Sequence, residues 1–401
     1  MYTYQEVLTF VQEEDVKFIR LSFFDIFGVQ KNISIMPNEL HRAFTYGVSF
    51  DASAVAGFGD AVECDLFLHP HPDTLEILPW RPNTGRVVRM YCDIRHPDGS
   101  PFETDCRQLL KTAVKTANDK GFHIYFGAEM EFYLFETDEK GKPTTIPFDY
   151  AGYMDISPED KGENVRREIC FTLIEMGIHP EASHHEEGPG QNEIDFKYGD
   201  PLTAADNTSI FKWIVKTIAT QNGLYADFSP KPIINEAGNG MHINISIESD
   251  DKKDYTDLFM AGIMKHIEEI TVFLNPCEES YLRLGGYKAP KYISWSRENR
   301  SQLIRIPATR NGQRRLELRS PDPSCNPYLV FTLLIYAGLD GIEQNISIPE
   351  PCNINLFTAD YSVTKNLTPL PLTLELASQL AEDSTFVKNY LPNAYIEAYC
   401  K

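Results

Sequence analysis

F-G-A-E-M-E-F-Y-L-F, residues 126–135, is the stretch from which the rest of this chain can be understood. It reads as a β-strand carrying two glutamates, Glu129 and Glu131, two positions apart. Side chains two apart on a strand point to the same face. The apolar and aromatic neighbours make the strand well buried, so the two carboxylates lose hydration and repel each other. One must then take up a proton, or both must meet a cation. A single E-x-E on a strand is most often a solvated face, and recurrence is what argues otherwise here.

Three further segments repeat the arrangement. H-H-E-E-G-P-G-Q-N-E-I-D-F, residues 184–196, puts Glu186 before a Gly-Pro-Gly turn and Glu193 after it. In G-N-G-M-H-I-N-I-S-I, residues 238–247, His242, Asn244 and Ser246 share one strand face and the isoleucines take the other. In R-R-L-E-L-R, residues 314–319, Arg315, Glu317 and Arg319 share a face. Placed side by side in one curved sheet, these strands would converge five carboxylates and an imidazole on a single cavity. So oxygen-rich a ligand set suits Mg2+ or Mn2+ rather than zinc. It exceeds what one magnesium that keeps its waters can use, so two or three ions per site are expected, neutralising and orienting phosphate.

A second constellation is basic. Arg283, Arg297, Arg300, Arg305, Arg310, Arg314, Arg315 and Arg319 crowd into one short span of a chain with 58 acids against 37 bases and a net charge of −21. Guanidinium forks match carboxylate and phosphate oxygens. Surface ion pairing with the many acids explains some of these arginines singly, but not the group. Metals with arginines point to phosphoryl transfer onto or from an anionic substrate. No Walker A motif is present, because Gly141-Lys142 is followed by Pro143. A nucleotide would therefore bind without a P-loop.

The acidic balance argues against nucleic acid or an anionic membrane as the main partner. The N-terminus shows no basic start or cleavable apolar core, and the longest apolar stretch, near Pro327 to Leu339, is too short to span a bilayer. The eight cysteines stand singly with no C-x-x-C pair. A cytoplasmic location is expected.

Residues 1–101 read as a small β-rich domain, with Lys17–Phe24 and Gln30–Ile35 forming a hairpin. Residues 102–401 read as an α+β catalytic domain. Helices are expected from Asp105 to Asn118, from Ser157-Pro158 to Gly177, opening at Asp206, and from Asn326-Pro327 to near Gly338.

At this point the chain resembles the glutamine synthetase family, bacterial type I, almost from end to end. The motifs that carry the resemblance are F-D-A-S at Asp51, P-D-T-L-E-I-L-P-W ending at Trp80, G-A-E-M-E-F and H-H-E-E-G-P-G-Q-N-E. They continue with A-D-N at Asp206, P-K-P at Lys231, G-N-G-M-H, E-N-R-S with I-R-I-P, R-R-L-E-L-R-S-P-D-P and A-G-L-D-G-I. The resemblance implies a small N-terminal β-grasp-like domain and a large domain with a curved antiparallel sheet backed by helices. It implies one metal on Glu131, Glu186 and Glu193 and another on Glu129, His242 and Glu317. Glutamate would be gripped by Arg283 and Arg319, with Gly238 and His242 nearby. ATP would meet Glu181, Asn244, Ser246, Arg300 and Arg305, with Arg300 also acting in the chemistry. The family forms homo-oligomeric rings, hexamers or dodecamers, and Asp51 would complete the neighbouring subunit's site by attracting ammonium.

The implied activity is ATP-dependent joining of L-glutamate to ammonia. Four positions depart from the family pattern. Lys288, in G-Y-K-A-P, stands where a flap glutamate usually accepts the ammonium proton. It would have to act as a neutral base, pair with a carboxylate of another nucleophile or with Asp51, or point outward. Ala237 replaces an asparagine often found near glutamate. Gly312 stands where a phosphate-side lysine is often seen. Phe357 occupies the position of the adenylylated tyrosine, so that regulation is not expected. The chain ends at Lys401, short of the C-terminal helices by which such rings pair, which makes a double ring doubtful. The alternatives are an organic amine as acceptor, giving a γ-glutamyl amide, a binding-only sensor or scaffold, and a guanidino kinase. The last lacks a cysteine in any metal-lined segment.

Overall fold

The computed structural model describes residues 2–59, 64–308 and 314–401. Arg310 and Gly312 lie outside the described residues. In the first hundred residues, helices α1 (Tyr4–Glu13) and α2 (Leu40–Tyr46) accompany strands β1 (Val16–Phe24), β2 (Gln30–Ile35), β3 (Val48–Asp51), β4 (Asp65–Pro70), β5 (Glu76–Ile77) and β6 (Arg86–Arg95). These strands form one sheet in the order β2-β1-β6-β4-β3, with β5 added on β6. β1 and β2 are the expected hairpin. Asp25 turns it, accepting hydrogen bonds on Oδ1 from the amides of Phe27 (3.0 Å) and Val29 (2.9 Å). The central β1–β6 pair is parallel, and the sheet closes over its own core of Ile19, Leu21, Leu68, Val88 and Met90.

The larger part begins at α3 (Cys106–Asp119), capped by Asp105 through the amides of Arg107 and Gln108. Its strands are β7 (Phe122–Thr137), β8 (Pro143–Pro147), β9 (Pro180–His185), β10 (Gln191–Phe196), β11 (Leu224–Asp227), β12 (Met241–Ser249), β13 (Trp295–Arg297), β14 (Ile304–Ile306) and β15 (Leu316–Leu318). They run β13-β14-β15-β12-β7-β10-β9, mostly antiparallel, with β8 and β11 also on β7. Helices α4 (Glu163–Glu175), α5 (Pro201–Gln221), α6 (Thr256–Leu274), α7 (Glu278–Arg283) and α8 (Pro327–Glu343) follow the same chain order. α3 and α5 cover β7, and α8 packs on α3, α5 and α6. The seam between sheet and helices is apolar, with Phe126 stacked on Phe331 at 4.2 Å.

β7 shows why the opening motif matters. Met130, Phe132 and Leu134 point into the core and are fully buried, while Glu129 and Glu131 take the other face. One strand thus carries hydrophobic core on one side and chemistry on the other.

Three helix boundaries differ from expectation. Ser157-Pro158 opens no helix. α4 starts at Glu163 behind Gly162, because Asp160 is taken by Arg166 (3.1 and 2.5 Å) and the amide of Lys161 by Asp149, which holds residues 157–162 as a loop. α5 starts at Pro201 with Asp200 as its cap. Asp206 is already inside the helix, its carboxylate bonded to Arg107 and Tyr328. α8 continues past Gly338 to Glu343. Gly338 is not a stop signal but a contact point, since a Cβ there would lie 2.1 Å from the Phe259 ring of α6.

Candidate active site

Strand register brings the polar residues together. Glu193 and Asp195 of β10 pair with Glu131 and Glu129 of β7. His242 of β12 pairs with Glu129 on the other side. Asn244 pairs with Glu317 of β15, and Glu317 with Arg305 of β14. Five neighbouring strands therefore present one continuous row of acids, imidazole and guanidinium on the open face of the sheet.

Two cavities form along that face. The first, of about 440 Å3, is lined by Glu129, Glu131, Glu186, Glu193, Gly238, His242, Arg283, Lys288, Arg300, Arg305 and Arg319 among others. The second, of about 470 Å3, holds Glu181, Asn244 and Ser246. Glu129, Ala182, Asp195 and Arg315 belong to both, so the two spaces adjoin. The residues expected to meet ATP divide between them, with Arg300 and Arg305 in the first. Asp51 lines neither. It is exposed on the small domain, where its Oδ1 accepts hydrogen bonds from the Ser53 amide (2.9 Å) and hydroxyl (2.6 Å). Ala237 lines the first cavity, and its carbonyl accepts a hydrogen bond from the Tyr133 hydroxyl (2.6 Å).

The carboxylates are under strain from one another. Burial, followed by the charge of Glu186, raises the Glu131 carboxyl to about 7. Burial and then Glu131 push Glu193 well above the usual range. Burial and then Glu193 raise Asp195 to about 9. Burial also raises Glu186. Glu129 behaves differently: burial pushes it up, but His242 and Asn244 outweigh that and hold it near about 2. Buried acids this close need protons or cations.

Ligand spacing matches that need. Glu129, His242 and Glu317 offer atoms within 4.8 Å of one another, as do His184, Glu186 and Glu193, and Glu129, Glu193 and Asp195. Glu131 shares the cavity but stands outside these trios. Its Oε2 accepts from the Gly240 amide (2.7 Å) and from Gln191 (3.2 Å). Both oxygens of Glu317 are engaged by arginines, Arg305 and Arg319. A donor set of carboxylates and one imidazole fits a hard divalent ion. A fourth trio, Asp149, Asp160 and His185, is fully buried and internally satisfied through Arg166, Gly190 and Lys161.

The arginine group splits by position. Arg283, Arg300, Arg305, Arg315 and Arg319 line the first cavity. Arg283 is pinned by the carbonyls of Ser320 (2.8 Å) and Arg319 (3.2 Å). Arg314 instead pairs with Asp254 and Asp257 at the surface. Buried polar atoms without a protein partner collect on the cavity walls: Nε of Arg315 and Arg319, Oδ1 of Asp195 and Oδ1 of Asn244. Such atoms call for a ligand, ion or water.

Lys288 reaches the mouth of the first cavity and pairs with Glu187 at 2.6 Å, an arrangement not anticipated from the sequence. Other wall residues were also missed, among them Asp195, His184, Gln191 and Tyr153. Asp195 was within reach of the period-two rule, two positions after Glu193 on the same strand. Tyr153 sits in a loop and has no periodic signal.

Comparison with known proteins gives consistent results. Residues 15–97 match the family model for the glutamine synthetase β-grasp domain, and residues 103–401 that for the glutamine synthetase catalytic domain. The glutamine synthetase of Methanosarcina mazei is 46% identical over 404 residues, covering 97% of this chain and 90% of that protein. That of Clostridium saccharobutylicum is 45% identical over 405 residues, covering 97% and 91%. A solved structure titled GmaS/ADP complex superposes with a TM-score of 0.88 at 29% identity, covering 98% of this chain and 93% of the other. The Plasmodium falciparum glutamine synthetase shares the fold with a TM-score of 0.87 at 23% identity, covering 100% and 95%.

Proposed function

Since the chain belongs to the glutamine synthetase family, we propose that its two adjoining cavities activate the γ-carboxylate of L-glutamate with ATP and deliver it to ammonia. The protein is an ATP-dependent glutamate–ammonia ligase that uses a divalent metal. A carboxylate is a poor acyl donor, because oxide would have to leave. Its γ-oxygen therefore attacks the γ-phosphorus of ATP, an O–P bond forms and ADP departs. The amine nitrogen then attacks the γ-carbon. The C–N bond forms, the C–O bond to phosphate breaks, phosphate leaves with the electron pair, and the nitrogen passes its surplus proton to the departing phosphate or to water.

In our assignment Arg283 and Arg319, with Gly238, hold glutamate. Glu181, Asn244 and Ser246 hold the nucleotide from the second cavity, and Arg300 and Arg305 meet its phosphates where the cavities adjoin. Glu131, Glu186 and Glu193 would bind one Mg2+ or Mn2+ and Glu129, His242 and Glu317 another, and the trio of Glu129, Glu193 and Asp195 offers a third place; a bound ion neutralises phosphate charge. Arg283, Arg300, Arg305 and Arg319 orient the anionic groups and stabilise the charge that develops on the transferring phosphoryl. We divide the chain near Pro101 and assign it to the cytoplasm, in keeping with its eight unpaired cysteines. We further infer a homo-oligomeric ring, hexamer or dodecamer, in which Asp51 of one subunit completes the cavity of the next. The exposure of Asp51 away from its own cavity supports this.

The observation that carries the assignment is the cross-strand register of Asp195, Glu129, His242, Glu193, Glu131 and Glu317 beneath a wall of arginines. The test is phosphate release with ATP, Mg2+ and L-glutamate, comparing ammonium with primary amines, diamines and amino acids. Glutamate-dependent release with ammonium is expected. Release only with one organic amine would move the acceptor to the second class, which Lys288 at the cavity mouth favours. No release with any amine would sink the assignment.

A further inference from the structure

Among the described residues, Glu187 is the one carboxylate lining the first cavity that belongs neither to a ligand-spaced trio nor to the assigned metal ligands. It follows Glu186 in the turn between β9 and β10. That turn is held firmly: the Glu187 amide donates to Glu186 Oε2 (3.0 Å) and the Gly188 amide to Gln191 (2.9 Å). Gly188 packs so closely that a Cβ would lie 1.9 Å from the Tyr133 hydroxyl. The Glu187 side chain therefore has a fixed origin at the cavity mouth.

Two groups face it. Lys288 Nζ lies 2.6 Å from Glu187 Oε1 and 4.8 Å from the centroid of the Tyr153 ring. The ammonium of Lys288 thus rests between a carboxylate and an aromatic face, the environment that recognises an amine cation. Its backbone is anchored separately, the Lys288 carbonyl accepting from Arg319 Nη2 at 3.4 Å. The side chains of Lys288 and Glu187 are 46% and 36% exposed, so the lysine can leave without disturbing the core.

We propose that Glu187, with the Tyr153 ring, forms the subsite for the cationic amine acceptor, and that the Lys288 ammonium is a tethered occupant which the acceptor displaces. This rests on the ligase assignment above. The physical need is plain. The cavity's five arginines repel an incoming ammonium, and its other acids are trio members or assigned metal ligands, so Glu187 is the carboxylate left to offset that repulsion. An unpaired lysine there would add to it. Paired with Glu187, its charge is neutralised, and what remains is a competitor for the acceptor. Glu187 is thus a positioning and specificity residue, and it takes part in no bond-making step.

The test uses the full-length protein with ATP, Mg2+ and L-glutamate, and two nucleophiles. Ammonium is charged near neutral pH, whereas hydroxylamine is mostly uncharged there and yields a γ-glutamyl hydroxamate that is read as its coloured ferric complex. Glu187→Gln should raise the KM for ammonium by about tenfold, the loss of one charge-assisted contact. The KM values for hydroxylamine and glutamate should move less than roughly twofold. Lys288→Met, which keeps length and removes charge, should lower the KM for ammonium. An unchanged ammonium KM in Glu187→Gln would overturn the proposal. So would an equal loss with both nucleophiles, or a raised ammonium KM in Lys288→Met. Wild-type protein that releases no phosphate with ammonium, hydroxylamine or any organic amine would instead refute the underlying ligase assignment, so the two failures are distinguishable.

Discussion

Glu131 and Glu193 stand directly opposite each other on β7 and β10. Like charges in that position destabilise a sheet, and the raised Glu131 and Asp195 show the cost. Their folded values, about 7 and about 9, lie above the unfolded carboxylate range. The stability they contribute is complete below that unfolded range and is lost as pH rises through 7 and then 9. Metal-free protein in EDTA should therefore melt at progressively lower temperature from pH 6 to pH 9. A divalent ion, which binds the deprotonated acids, should restore more stability at pH 9 than at pH 6. Melting that is flat with pH in EDTA would contradict the burial of these acids. Glu131→Ala should reduce metal-dependent ATP turnover by on the order of a hundredfold or more. Retained turnover would remove Glu131 from the metal site. Glu129 and Glu131 were legible in the sequence because they obey the two-residue period of β7, whereas Glu186 lies in the turn after β9 and was found from its motif. Glu187 was not recognised, because its role depends on Lys288, about a hundred positions away in the chain.

Among the elements, α3 and α5 are joined by a bidentate ion pair. Arg107 donates from Nε (3.0 Å) and Nη2 (2.8 Å) to the two oxygens of Asp206, which also accepts from the Tyr328 hydroxyl (2.7 Å). Asp93 of β6 lies 3.9 Å from the same guanidinium, so the network reaches the small sheet as well. Arg107→Met should cost about 3–5 kcal/mol, because it leaves Asp206 buried without its cation. Urea unfolding would measure this, and a loss below about 1 kcal/mol would place the network among solvent-screened pairs. This network also explains a boundary that local signals misplaced. Asp206 looks like a helix cap in isolation, but Asp200-Pro201 already fills that role and Asp206 is reserved for Arg107. Ser157-Pro158 misled in the same way, since Asp160 with Arg166 and the Lys161 amide with Asp149 hold that loop.

At the scale of the whole molecule, Asp51 is the telling residue. It lies outside the cavities of its own chain, yet the ring we propose gives it work in a neighbour's. Asp51→Ala and Glu131→Ala proteins should each be inactive alone, and mixed rings of the two should regain turnover, because some interfaces would pair an intact Asp51 with an intact metal site. Mixtures assembled from unfolded chains and sized by light scattering would show this. Mixed rings that stay inactive would place Asp51 outside the site. Strand periodicity, the helix openings at Asp105 and Asn326-Pro327, and an arginine cluster in an acidic chain made the α+β class and the candidate acids legible, because each is a local rule read over a few residues. Register across five strands, the division of the residues we assign to the nucleotide between two cavities and the pairing of Lys288 with Glu187 were set only by the folded chain. Each of these brings together residues separated by tens to hundreds of positions, and no local period encodes such a distance.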